Sequence, residues 1–406
     1  MLSGVMIAAP GRPQASSHRS QQGEATPMTT PILQFGTSRF LLAHVDLFVS
    51  QALAQQGGAG QALGGITVVQ TTTSSASAGR VAALASGAPY PVLIRGLQDG
   101  KPIDQVLQGS AVRGAMQAHA DWPRLLATVA GRVQVIVSNT ADQGYLLDAQ
   151  DGPTSLAADG PVPASFPAKL LVLLHHRWAN NPRAPLSIFP CELIERNGDT
   201  LRDLLLQLAH DWAIAPAFAD WLRGHCIWAN SLVDRIVSEA ITPVGAVAEP
   251  YALWAIENQP GLVLPCRHPA IVLTDDLASY AQLKLYLLNG GHTVLAERWL
   301  RDGRPADETV VQAMADAGMR AELEAVWAAE ILPVFEAIGR QPQAEAYLAQ
   351  VRERLLNPFL AHRLADIAQN HVQKKQRRFA PLLALAEKHG LDLPQTRLRA
   401  ALASTT

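Results

Sequence analysis

From Pro31 onward the apolar residues fall into short runs separated by stretches with a repeat near 3.6, the signature of strands alternating with helices. Ile32–Phe35, Ile66–Val69, Val92–Ile94, Val133–Val137 and Leu186–Phe189 read as strands, while Phe40–Gln55 and Trp122–Ala130 read as helices. Strands and helices that take turns predict a mostly parallel sheet covered on both faces. Asn197 to Thr200 reads as a turn leading into a capped amphipathic helix over Leu201–Trp212. Past about Pro250 the pattern turns helical, over Tyr251–Glu257, Ser279–Leu288, Arg320–Ile338, Ala344–Leu356 and His362–Gln373. The expected class is therefore α/β: a nucleotide-binding-type domain over residues 31–249 and a mainly α-helical C-terminal domain over 250–406. Residues 1–30, rich in Ser, Gln, Pro and Ala, are expected to form a disordered tail, with Met28 closer to the functional start.

Length and charge narrow the function classes. At 406 residues and 48% hydrophobic, the chain can bury two cores. A net charge of −2 offers no general attraction for nucleic acid or an anionic membrane, and no window approaches the roughly 20 apolar residues of a membrane span. Cys191, Cys226 and Cys266 lie far apart, which argues against a disulfide framework or a cysteine metal site and fits a cytoplasmic protein. The expected partner is a small molecule, and no metal is called for.

Candidate chemistry concentrates in Lys284-Leu-Tyr-Leu-Leu-Asn289-Gly-Gly-His292, where an amine, an amide and an imidazole share an apolar stretch. Burial lowers an ammonium pKa toward the range of a general base. The competing reading is a helix whose lysine reaches water while the leucines pack. On a continuous α-helix Lys284 and His292 would stand about 80° and about 12 Å apart, too far to share one substrate oxygen. Gly290 and Gly291 are expected to bend or restart the helix and swing His292 back.

A second signal follows the first strand. Gly36-Thr37-Ser38-Arg39-Phe40 is a glycine turn before a helix, a place where backbone N–H groups meet phosphate. Ser38 stands where a dinucleotide fingerprint has its second glycine, and the second strand ends in Gln70 rather than an acid. Gln70 or neighbouring hydroxyls suit NAD, while Arg80 leaves NADP open. The polar run Ser138 to Tyr145, with Asn139 and Thr140, suits a lid over the cofactor or an ordinary surface loop.

Several phrases in fixed order resemble the long-chain mannitol dehydrogenase family over nearly all of residues 31–400. They are Ile32-Leu-Gln-Phe-Gly36, Ile94-Arg-Gly96, Ser138-Asn-Thr140, Phe166-Pro-Ala-Lys169, Pro190-Cys-Glu-Leu-Ile194 with Asn197-Gly-Asp199, Leu232-Val-Asp-Arg-Ile-Val237, the Lys284–His292 span and Asn357-Pro358. The resemblance implies a metal-independent, NAD-linked oxidoreductase with a Rossmann-type N-terminal domain, a helical C-terminal domain, and a monomeric or homodimeric state. It implies Lys284 as acid–base and Asn289 and His292 as groups that grip the reacting oxygen. It also implies Asp234, Lys374 and His362 as substrate-side residues, although Asp234 and His362 serve a structural role equally well. For Lys375, Arg377 and Arg378 a solvated helix face is the expectation. Pro190-Cys-Glu-Leu193 resembles the branch that reduces keto-hexuronates to aldonates, because Leu193 lacks the side-chain donor of the polyol-oxidising branch. A polyol or fructuronate dehydrogenase and a non-catalytic sugar- or nucleotide-binding relative are the alternatives. Ser38 and Leu42 depart from the family's glycine and arginine, and the chain ends at Thr406, earlier than expected, which would shorten the C-terminal helical domain.

Overall fold

The computed structural model describes residues 29–55, 61–74, 77–140 and 144–405. Most of the expected tail and residues 141–143 of the expected lid lie outside them. The strands are β1 (Ile32–Phe35), β2 (Ile66–Gln70), β3 (Tyr90–Gln98), β4 (Lys101–Gly109), β5 (Val112–Gln117), β6 (Val135–Ser138), β7 (Leu186–Pro190), β8 (Cys226–Trp228), β9 (Ser231–Asp234), β10 (Val237–Ala240), β11 (Ala246–Ala248), β12 (Leu253–Glu257) and β13 (Ile271–Thr274). Six of them form one parallel sheet in the order β5-β2-β1-β6-β7-β8.

Alternation along these strands explains why both faces are covered. Leu33, Phe35 and Ile136 enter one core with the helices Trp122–Ala130 and Phe166–Asn180, while Ile32, Val135 and Val137 enter a second core with the helix Val45–Ala54. A parallel sheet buried on both sides needs such near-continuous apolar runs. Because β1 lies between β2 and β6, the chain order reverses there, a switch point of the kind beside which open α/β sheets take their ligands.

Smaller sheets carry the chain from this switch point to the helical part: β10-β11-β3-β4 and β13-β12-β9. Tyr251–Glu257, expected as a helix, contributes β12 instead. Trp254 and Ile256 are buried, Trp254 edge-on to Phe189 at 5.6 Å, and both backbone edges of β12 are taken, by antiparallel β9 and parallel β13. Five residues with two paired edges gain more as a strand than one turn of helix could.

Two helices start and stop where side chains dictate. The expected turn at Asn197 is the first residue of the helix Asn197–Asp211; its amide donates to the carbonyls of Pro190, Glu192 and Ser231 and accepts from Gly198 and Ser231. Phe40–Gln55 breaks at His44 into Arg39–Ala43 and Val45–Ala54. The remainder is helical and closes a third core running from Tyr286 to Ala401. Among the described residues no helix is long and apolar enough to cross a membrane.

Candidate active site

Lys284–Asn289 is a π-helical turn joining the helix Leu277–Leu283 to the helix Gly290–Arg301. The α-helix resumes at Gly290, which keeps helical backbone angles, and the realignment comes from the π turn just before the glycine pair. One residue too many within a turn takes back about 100° of rotation, so Lys284 and His292 fall roughly 20° apart instead of about 80°. Lys284, Asn289 and His292 thereby share a face. Gly291 has a different purpose: a Cβ there would stand 2.9 Å from Cζ2 of Trp327, whose indole N–H donates to the Leu287 carbonyl of the π turn at 3.2 Å.

That face forms one wall of a cavity of about 250 Å³, which Asp234, His362 and Lys374 also line. All six residues expected on the catalytic and substrate side thus meet around one space. The Lys284 amine donates to the Val233 carbonyl at 2.8 Å and lies 3.6 Å from Asp234 Oδ1. Burial pushes the Lys284 pKa down; Asp234 opposes this and Arg354 adds to it. Burial of Asp234 alone would raise its pKa, yet Arg354, Lys284 and the Tyr347 hydroxyl hold it at about 2. Arg354 is the residue sequence reasoning missed. Its guanidinium reaches both Asp234 oxygens at 2.9 Å, pairs with Glu249 at 2.8 Å and lies over the Tyr251 ring. The neighbouring Arg235 donates instead to the carbonyls of Ala43 and Glu249. No motif in the sequence links positions 234, 249 and 354.

His292 is buried, and burial first, then His362 and Arg378, keep its pKa well below the ordinary value, so it stands neutral. The His292 and His362 rings meet edge to face at 5.1 Å. The Asn289 side-chain amide has no hydrogen-bond partner among the described residues, while its backbone carbonyl accepts from Arg378 at 3.1 Å. Lys374 donates to the Ile367 carbonyl at 2.8 Å. The helix His371–Arg378 departs from the expected solvated face. Arg377 is exposed, but Lys375 is buried against Glu297 at 3.0 Å, and Arg378 lines the cavity.

Past the end of β1, Gly36 has φ +117°, and a Cβ there would meet the Asn139 carbonyl at 2.5 Å. Only glycine lets the ends of β1 and β6 come this close. Ser38 caps the helix Arg39–Ala43 through the Leu41 N–H, Phe40 stacks on His44, and Arg80 donates to the Thr37 carbonyl at 3.0 Å. Asn139 donates to the Cys191 carbonyl. Thr140 donates twice to Glu192, a buried carboxylate that also accepts from Ser138 and whose pKa burial raises. Gln70 is buried at the end of β2, with its amide on the Ser74 carbonyl. Leu193 is 71% exposed and projects away from the core. The turn and the cavity are tied together: Arg39 donates to the Val237 carbonyl and Arg235 to that of Ala43, while Asp234, Arg235 and Ile236 line the cavity.

Residues 31–263 match the family model of the mannitol dehydrogenase Rossmann domain, and residues 276–405 that of the mannitol dehydrogenase C-terminal domain. Altronate oxidoreductase of Halalkalibacterium halodurans is 30% identical over 373 residues, spanning 86% of this chain and 69% of that protein. Altronate oxidoreductase of Escherichia coli O7:K1 is 29% identical over 396 residues, spanning 92% and 78%. Among solved structures, substrate-free D-sorbitol dehydrogenase is similar with a TM-score of 0.77 at 21% identity, covering 92% of this chain and 80% of that one. Pseudomonas fluorescens mannitol 2-dehydrogenase, in a ternary complex with NAD and D-mannitol, gives 0.69 at 19% identity, covering 93% and 79%.

Proposed function

This chain belongs to the mannitol dehydrogenase family and is an oxidoreductase acting on CH–OH groups, and from that premise we propose that it is a cytoplasmic NAD(H)-linked enzyme interconverting a keto-hexuronate and its aldonate, of the tagaturonate and altronate type. The observation that carries this reading is the π turn, which brings Lys284, Asn289 and His292 to one wall of a cavity that also holds Lys374.

A dinucleotide would lie at the switch point between β1 and β6, against Gly36, Thr37, Ser38 and Phe40 of the turn after β1 and Gln70, Asn139 and Thr140 at the ends of β2 and β6. When bound, the nicotinamide supplies a hydride in one direction and accepts one in the other. The protein's own groups handle the proton and the charge. In reduction the Lys284 ammonium gives its proton to the substrate oxygen, and in oxidation the free amine takes it back. The Asn289 amide and the neutral His292 ring donate hydrogen bonds to that oxygen as negative charge grows on it. Lys374 meets the carboxylate of the substrate.

The test follows reduced-nicotinamide absorbance with tagaturonate, fructuronate, fructose and mannitol, each with either form of the cofactor. Fastest turnover of a keto-hexuronate with NADH supports the reading, and preference for fructose or mannitol sinks it. Lys284→Ala should lose at least about a thousandfold in kcat, in line with removal of an acid–base group, while NADH binding measured by fluorescence persists. Near-normal turnover would remove Lys284 from its role.

A further inference from the structure

We propose that Arg378 joins Lys374 in binding the substrate's carboxylate, and that the choice of a keto-hexuronate over a neutral ketose turns on Arg378. The inference rests on the preceding reading and adds the group that sets its specificity. Arg378 lines the same cavity as the Lys284 trio and is largely withdrawn from water, yet it pairs with no carboxylate among the described residues. Its two hydrogen bonds both use Nη1, to the Asn289 carbonyl at 3.1 Å and the Thr293 hydroxyl at 2.7 Å. Neither acceptor carries charge.

A guanidinium presents five N–H groups in a rigid fork, and with Nη1 tied down its Nε and Nη2 donors remain. That is the edge a carboxylate takes in a bidentate pair. The anchoring bond to Asn289 also ties the fork to a residue proposed to hold the reacting oxygen, so the two ends of a substrate would be gripped by one rigid unit. One helical turn earlier, Lys374 adds a second cation, bonded to the Ile367 carbonyl and to no carboxylate among the described residues. The acids facing the cavity do not neutralise this end. Asp234 is taken by Arg354 and Lys284, and Asp366 is exposed at the rim, where its field acts on His362. Arg378, largely withdrawn from water, and the partly exposed Lys374 are like charges with no counter-ion among the described residues, and an anionic ligand relieves both. A polyol or neutral ketose offers nothing to this fork.

The experiment compares steady-state kinetics of the wild type, Arg378→Gln and Arg378→Lys with tagaturonate and with fructose. With Arg378→Gln, KM for tagaturonate should rise about ten- to a hundredfold, as loss of a charge-assisted hydrogen-bonded pair implies, with kcat changed far less. The tagaturonate-to-fructose ratio of kcat/KM should fall with it, and Arg378→Lys should recover part of the loss. An unchanged KM for tagaturonate overturns the inference, as does a kcat that falls as far as KM rises, which marks a misplaced Asn289. If the Gln variant does not fold, the Lys variant alone must still raise KM several-fold, and failure to do so overturns the inference. A wild type that prefers fructose defeats the preceding reading itself, whereas tagaturonate preference with an insensitive Arg378 defeats only this one.

Discussion

Replacing Asp234 with Asn removes the carboxylate that lies 3.6 Å from the Lys284 amine, while nearly preserving shape. At an effective dielectric of about 20, two unit charges at that separation attract by about 4 to 5 kcal/mol. Each 1.4 kcal/mol or so is tenfold in proton affinity, and water in the adjoining cavity screens a good part of the attraction. Arg354, released from Asp234, keeps Glu249 and turns more of its field on the lysine. Both changes favour the neutral amine, adding to what burial already does. On the proposed mechanism, reduction needs the ammonium and declines as pH rises through the lysine's titration, while oxidation needs the free amine and grows through it. Asp234→Asn should therefore move both limbs to lower pH by about one to two pH units, read from kcat/KM profiles in the two directions. At neutral pH reduction slows while oxidation holds or gains. Limbs that stay in place in a folded variant would refute the electrostatic account, and two limbs moving in opposite directions would refute the single-lysine account.

Other perturbations probe separate parts of the structure. Gly291→Ala drives a Cβ to within 2.9 Å of Trp327 and should cost about 1 to 3 kcal/mol of stability in urea unfolding; an unaltered midpoint would mean the π turn accommodates it freely. Gly36→Ala combines φ +117° with a 2.5 Å approach to Asn139, and should weaken NADH binding more than tenfold by fluorescence titration with less effect on substrate KM. Asp46 is fully buried, and burial raises its pKa to about 7 against the partial opposition of Gln34 and Tyr90. A carboxyl raised on folding stabilises below its unfolded pKa near 4 and loses that contribution as pH climbs through about 7. Asp46→Asn should flatten the fall in stability between pH 4 and 8, by up to roughly 4 kcal/mol, and a denaturation series with the same slope in both proteins would contradict this.

The parallel sheet was legible because its strands bury both faces and so read as unbroken apolar runs, as at Ile32–Phe35 and Val133–Val137. β4 was not legible: as a largely exposed edge strand it carries no apolar period, and the partner that pairs it, β3, is visible only in three dimensions. Tyr251–Glu257 misled for the opposite reason, since a short apolar stretch fits either period and its two strand partners lie some 20 residues away on each side. At the site Lys284, Asn289 and His292 stood out by their chemistry, but the π turn that aligns them did not. Glycines in a helix suggest a break, whereas here Gly291 makes room for Trp327 and the realignment comes from backbone hydrogen bonding. Arg354 and Arg378 were missed or read as solvated because arginine on a polar helix looks the same whether its head meets water or a buried partner.

The Asp234, Glu249, Arg354 and Lys284 quartet ties the proton chemistry to the packing of the whole molecule. Asp234 ends β9, Glu249 follows β11, Lys284 opens the π turn, and Arg354 comes from the helix Gln341–Leu355, more than 100 residues after Glu249. Two negative and two positive charges nearly cancel, so the lysine's proton affinity is a small difference between large opposing interactions. Burial lowers it, Asp234 raises it and Arg354 lowers it again. Any displacement of the Gln341–Leu355 helix shifts that balance in a definite sense. Withdrawing Arg354 leaves Asp234 and Glu249 without their shared cation, and the freed negative field makes Lys284 hold its proton more tightly, favouring reduction over oxidation. The helix that carries Arg354 thus also sets the acidity of Lys284, and under the proposed mechanism its packing and the proton transfer are tuned together.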